Sequence, residues 1–321
     1  MHRDTPGEQD LDAAVAAARR VLEPPPTPAV SLALRLKTSP AARAIVPTRL
    51  AISYAASRGQ RRWESSAAER EEALAVMDAI VGNTARESEA TQLARRHLIE
   101  DEIHKAFFWQ RWPTERMDAA STEHLERTLA SSRAVILSSC HLGPFHHHTS
   151  PISARGRTIY IVSGKWFFDD PSADYWGRRI ARWWVDLVRR DVRLVSTVRS
   201  FPVLRRLLVE GETVLIYFDM PGSRRTSFLG KPVMLATGTA KLAVEADALV
   251  LPLRARRVGH RVWTDVAEPL DPRDFSGFED LHEALAALHE RWILEQPETL
   301  EDPGRPGSWE GLADRDEWAR G

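Results

Sequence analysis

The run Ser138-Ser139-Cys140-His141-Leu142-Gly143-Pro144-Phe145-His146 directly follows four apolar residues, Ala134-Val135-Ile136-Leu137. That pattern predicts a buried strand that stops at a histidine and turns through Gly-Pro. Open α/β sheets bind ligands just outside the carboxyl ends of their strands, which puts the His141 imidazole where chemistry is done. Histidine titrates near neutral pH and suits a general base. Acyl transfer from a thioester to a hydroxyl or amine needs such a base, because the acceptor loses a proton as it attacks the carbonyl. The ring must also be held in one tautomer, ordinarily by a carboxylate on its other nitrogen. A carboxylate five residues on, one helical turn into the next element, would do this; the residue there is His146.

Asp219 follows the apolar run Thr213-Val214-Leu215-Ile216-Tyr217-Phe218 and opens the turn Met220-Pro221-Gly222. It reads as a site carboxylate at a second strand end, or as a turn residue capping backbone amides. Swung toward His141, it supplies the carboxylate that position 146 lacks. Otherwise an easily deprotonated acceptor would need only a weak base. Arg224 and Arg225, just past that turn, have the forked geometry that pairs with phosphate oxygens of a donor, though exposed loop arginines are common. Arg178-Arg179-Ile180-Ala181-Arg182-Trp183-Trp184 with Arg189-Arg190 reads as a helix. It would dock an acidic carrier protein, touch anionic lipid headgroups, or simply pack its tryptophans on the sheet. His146-His147-His148 invites a metal reading, but consecutive helical residues point about 100° apart and no acid completes the set. Lys241 in Gly238-Thr239-Ala240-Lys241 lacks the glycine spacing of a phosphate loop and reads as a helix start. No metal or cofactor is expected.

These groups need elements to hold them. Residues 8–22 read as a short amphipathic helix stopped by Pro24-Pro25-Pro26, so residues 1–30 form a loosely attached arm. Residues 31–121 read as a helical portion. Ala73, Val76, Met77, Ile80 and Val81 make one apolar stripe; Leu93, His97, Ile99 and Ile103 make a second, and Gly82-Asn83 separates the helices. Phe107-Phe108, Trp109 and Trp112 anchor that portion or line an acyl tunnel. From 122 to 296 strands and helices alternate, with strands expected at 133–139, 158–163, 192–197, 213–218, 248–254 and 261–266. Helices are expected near 145–154, 172–190, 199–210, 237–246 and 278–295. This alternation implies an α/β fold, a mostly parallel central sheet flanked by helices. Residues 297–321 read as an irregular tail.

Bulk properties narrow the function classes. The 321 residues suffice for a sizeable core, and a net charge of −1 excludes the basic excess typical of nucleic-acid binders. The single cysteine, Cys140, excludes an internal disulfide framework, fits a reducing compartment, and reads as a small buried strand-end residue rather than a nucleophile. No membrane span or signal peptide is read, so the expected location is cytoplasmic, with at most peripheral contact with the inner face of a membrane.

The stretch His141-Leu142-Gly143-Pro144-Phe145-His146 resembles the motif His-Leu-Gly-Asn-Trp-Glu of the late acyltransferases of lipid A biosynthesis and the phosphatidylinositol mannoside acyltransferases, within the lysophospholipid acyltransferase-like group. The likeness continues through Asp219-Met220-Pro221-Gly222, Phe228-Leu229-Gly230-Lys231-Pro232, Thr237-Gly238-Thr239-Ala240-Lys241-Leu242-Ala243 and Leu249-Val250-Leu251-Pro252-Leu253. It spans roughly residues 60–300. The resemblance implies a glycerolipid acyltransferase-like sheet with a helical N-terminal portion, and an acyl thioester donor on acyl carrier protein or coenzyme A. It implies His141 as base and Asp219 as a site residue in the turn beneath it. His146 is taken as a further site residue, and Gly143, Lys165, Arg224 and Arg225 as substrate-binding positions. The chain departs from the family in three places. His146 stands where the family has its acid, and Lys165 stands near where the family has an arginine. No membrane helix of the kind with which members often begin is read in this sequence.

The expected activity is therefore acyl transfer to an amine or hydroxyl acceptor in small-molecule or lipid biosynthesis. A non-catalytic module that binds a carrier protein or acylated intermediate, and a thioester hydrolase with water as acceptor, remain open at this point.

Overall fold

The computed structural model describes residues 8–20, 45–107, 116–163, 192–196 and 200–301. Its centre is a six-stranded sheet of β1 (Val135–Ser139), β2 (Ile159–Ser163), β3 (Val192–Ser196), β4 (Thr213–Tyr217), β7 (Leu249–Val258) and β8 (Arg261–Val266), in the order β3-β2-β4-β1-β7-β8. Every pairing is parallel except the edge pair β7–β8. A separate antiparallel hairpin, β5 (Pro221–Phe228) and β6 (Lys231–Leu235), follows β4. All five residues of β1 are buried, as expected of a central parallel strand covered on both faces.

Side chains alternate across the sheet with the strand period of two. Ile136, Val214 and Val250 face one core, and Val135, Leu137, Leu215 and Leu251 face the other. The first core is covered by α1 (Glu8–Ala18), α3 (Ala67–Val81), α4 (Ala90–Phe107), α7 (Ser200–Val209), α8 (Gly238–Ala246) and α9 (Phe278–Glu295). The second lies under α5 (Ala119–Ala130). The helix α1 seats Val15 and Ala18 in the first core. The expected stripe Ala73, Val76, Met77, Ile80, Val81 is the buried face of α3, and Gly82 is its C-cap. A further helix, α2 (Thr48–Ser65), packs on α4 through a close approach at Gly59.

The segment expected to be helical near 145–154 is instead a 3₁₀ turn, Phe145–His147, and one short helical turn, α6 (Ser150–Ser153), with Pro151 near its start. The expected helix at 172–190 with its arginines and tryptophans lies outside the described residues. So do Lys165, Phe108, Trp109, Trp112 and the tail from 302 onward. Among the described residues no helix is long and apolar enough to cross a membrane.

Candidate active site

Neighbouring central strands bring two predicted residues together. The β1–β4 register pairs Ser139 with Tyr217, and the Phe218 amide donates to the Ser139 carbonyl at 2.6 Å. Two residues beyond each partner stand His141 and Asp219. The chain ends leave the sheet side by side, and the side chains meet. His141 Nδ1 lies 2.9 Å from Asp219 Oδ1 and 3.1 Å from Oδ2, and the His141 backbone N–H donates to Oδ2 at 3.1 Å. A carboxylate only accepts, so Nδ1 carries the proton and Nε2 keeps the lone pair. Asp219 is fully buried, so this charge is held by oriented donors rather than by water.

Two aromatic rings that sequence reasoning did not single out as site residues fix the plane of the imidazole. Tyr217 stacks on it with centroids 3.9 Å apart, and Phe145 meets it edge-on at 4.9 Å. Tyr217 ends β4, two residues before Asp219. The His141 side chain remains 13 % exposed, so the ring is not sealed in packing.

His146 does not take the orienting place read for it. Its ring sits against Phe145, with centroids 3.9 Å apart, in the 3₁₀ turn beyond Pro144. Burial, reinforced by the neighbouring histidines, holds His146 well below the usual imidazole range. His147 and His148 are likewise pushed down to about 3, chiefly by burial. On the other side, His289 of α9 bonds the Ser138 hydroxyl at 2.9 Å and is also lowered to about 3 by burial, a shift that Asp219 opposes. The surroundings of His141 are therefore neutral imidazoles. Among the described residues no three His, Cys, Asp or Glu side chains are grouped to hold a metal ion.

Gly143 serves the shape of the turn. Its φ is +61°, and a Cβ there would stand 2.5 Å from the Ala255 carbonyl oxygen. Gly143→Ala should destabilise the fold by roughly 1–3 kcal/mol, read as a lowered melting temperature; an unchanged melting temperature would mean that the turn relaxes freely. The C-terminal segment braces the same turn from behind. The Gly143 amide donates to the Thr299 carbonyl at 2.9 Å, and the Glu301 amide donates to the His141 carbonyl at 2.7 Å.

Arg224 and Arg225 stand on β5, the strand that directly follows the Asp219 turn. Arg224 lies 3.7 Å from Glu283 and over the Phe278 ring, and Arg225 is exposed. Below them Thr226 and His282 share a hydrogen bond of 2.9 Å, which ties the hairpin to α9. Gly222 is dictated by this packing, since a Cβ would fall 2.3 Å from the Ala236 backbone. Cys140 is buried at the end of β1, as expected.

No protein-family model and no curated protein matches the sequence. Among solved structures, the chain is similar to the 1-acyl-sn-glycerophosphate (LPA) acyltransferase PlsC from Thermotoga maritima, at 18% sequence identity. The match covers 63% of this chain and 81% of that one with a TM-score of 0.37.

Proposed function

We propose that the chain is an acyltransferase moving an acyl group from a coenzyme A or acyl-carrier-protein thioester to an amine or hydroxyl acceptor, with His141 as base. The observation that carries this reading is the His141–Asp219 pair at the carboxyl ends of two adjacent parallel strands, where α/β enzymes gather their chemistry. Nε2 removes the acceptor proton as the acceptor oxygen or nitrogen bonds to the thioester carbonyl carbon. The buried Asp219 carboxylate stabilises the imidazolium so formed. Collapse of the tetrahedral intermediate breaks the carbon–sulfur bond, and the imidazolium returns the proton to the departing thiolate. The products are an ester or amide and a free thiol. Arg224 and Arg225 are assigned to a phosphate group of the donor, and Lys165 keeps its proposed place among the substrate-binding residues.

The test is to supply acyl-coenzyme A and acyl-carrier-protein thioesters and to follow free thiol, with and without hydroxyl and amine acceptors. The expected result is thiol release that depends on acceptor and matches the acylated product mole for mole. Release without acceptor would make the protein a hydrolase. No release under any condition would make it a binding module.

A further inference from the structure

Seven large apolar side chains of the described residues stand exposed, and four of them, Ile45, Val46, Leu50 and Tyr54, cluster at the start of α2. Their exposures are 82%, 44%, 63% and 63%. Single exposed apolar residues are ordinary, whereas a group of them marks a contact surface. Leu50 and Tyr54 are one helical turn apart and share a face. The residues that α2 buries, Ala55 and Gly59, follow them by five positions, which is about 140° round the axis. The exposed face therefore looks away from the core.

The charge around it is of one sign. Between Glu23 and Glu64 the sequence holds seven Lys or Arg and no acidic residue, in a chain whose 44 basic and 45 acidic side chains nearly cancel. Arg49 stands beside Leu50, and Arg58 and Arg61 continue the Leu50–Tyr54 face along α2. All three are exposed. Arg49 and Arg61 make no ion pair or side-chain hydrogen bond with a described residue, and Arg58 lies 3.1 Å from Glu102. Glu64, the next acid, comes about 21 Å along the helix from Leu50.

An apolar end and a basic end on one helix face fit a bilayer surface of negative charge. Apolar side chains enter the acyl boundary, while arginines lie along it and reach lipid phosphates with their charged heads. No described helix is long and apolar enough to cross a membrane, so such a contact is with the surface.

We propose that the start of α2 docks on an anionic membrane surface, with Ile45, Val46, Leu50 and Tyr54 inserted and Arg49, Arg58 and Arg61 on the headgroups. This face stands one helix from the assigned base. The helix α2 packs on α4, and His104 of α4 stacks on Phe145, the ring that meets His141 edge-on. The proposal is independent of the reaction assigned to His141.

Cosedimentation of the full chain with vesicles tests it, using equimolar phosphatidylcholine and phosphatidylglycerol at physiological ionic strength. Vesicles of phosphatidylcholine alone are the control without net charge. Saturable binding to the anionic vesicles is expected, with at least about tenfold weaker binding to the control. Leu50→Gln with Tyr54→Gln should weaken binding by about tenfold or more. Arg49→Gln with Arg61→Gln should weaken it by about tenfold, and by less at high salt. Val209→Gln, at an apolar residue equally exposed on α7, should leave it unchanged. Every substituted side chain is exposed, so the variants should fold, and melting curves without lipid check this. No binding to anionic vesicles, equal binding to both compositions, or equal weakening by Val209→Gln would overturn the proposal. So would a dimer that Leu50→Gln with Tyr54→Gln dissociates and that binds no vesicles, since the face would then belong to a second copy.

Discussion

Asp219→Asn is expected to lower the acyl-transfer rate by about 10⁴, the cost of the same exchange in the serine-protease triad. The size of the effect follows from what Asp219 does. Its two oxygens accept from the His141 amide and from Nδ1–H. An asparagine keeps one acceptor and adds a donor. With its oxygen on the backbone amide, its N–H points at Nδ1, which must then accept, and the imidazole proton moves to Nε2. The nitrogen that should take the acceptor proton now carries one. The side chain is buried, so no solvent charge replaces the lost one. Steady-state rates of the folded variant check this; a loss below about tenfold would mean that Asp219 holds the turn but not the tautomer. His141 Nδ1–H as an ¹⁵N NMR signature should be present in the wild type and absent in the variant.

Acid should unfold this protein early. His146, His147, His148 and His289 are buried and neutral, with values depressed from 6.5, to about 3 in the three rings other than His146. In the unfolded chain these rings protonate near pH 6.5. The stability they contribute is therefore complete above that pH and is lost as pH falls toward their folded values. Each ring steepens the fall by roughly 1.4 kcal/mol per pH unit, against a typical total of about 5–15 kcal/mol. The denaturation midpoint should be flat above neutrality and drop steeply between about pH 6.5 and 4.5, before most carboxylates titrate. A midpoint unchanged between pH 7 and pH 5 would show that these rings are hydrated.

The strands of the parallel sheet were legible because each is short and mostly apolar, and the observed bounds lie within one or two residues of those expected at β1 to β4. The hairpin β5–β6 was not, since Ser223-Arg224-Arg225-Thr226-Ser227 carries no apolar residue and only Thr226 of these five is buried. The strand β7 runs on to Val258 through three arginines because it pairs there with β8 and each charge meets a carboxylate, Arg254 and Arg256 on Asp265 and Arg257 on Glu100. At the site, the position of His141 was legible from the end of its strand. Its partner was not fixed by local spacing. Position 146 faces back along the ring only if a regular helix starts at 145, and the chain makes a 3₁₀ turn there instead. Asp219 is 78 residues away, and only the alignment of β1 with β4 brings it into contact.

The most direct measurement compares wild type with His141→Ala for thiol released from an acyl thioester in the presence of an acceptor. The predicted result is product-matched release by the wild type and a loss of at least about 10² in the variant, the lower range for removal of a general base. Equal release by the two proteins, both folded, would contradict the assignment of His141 as the base.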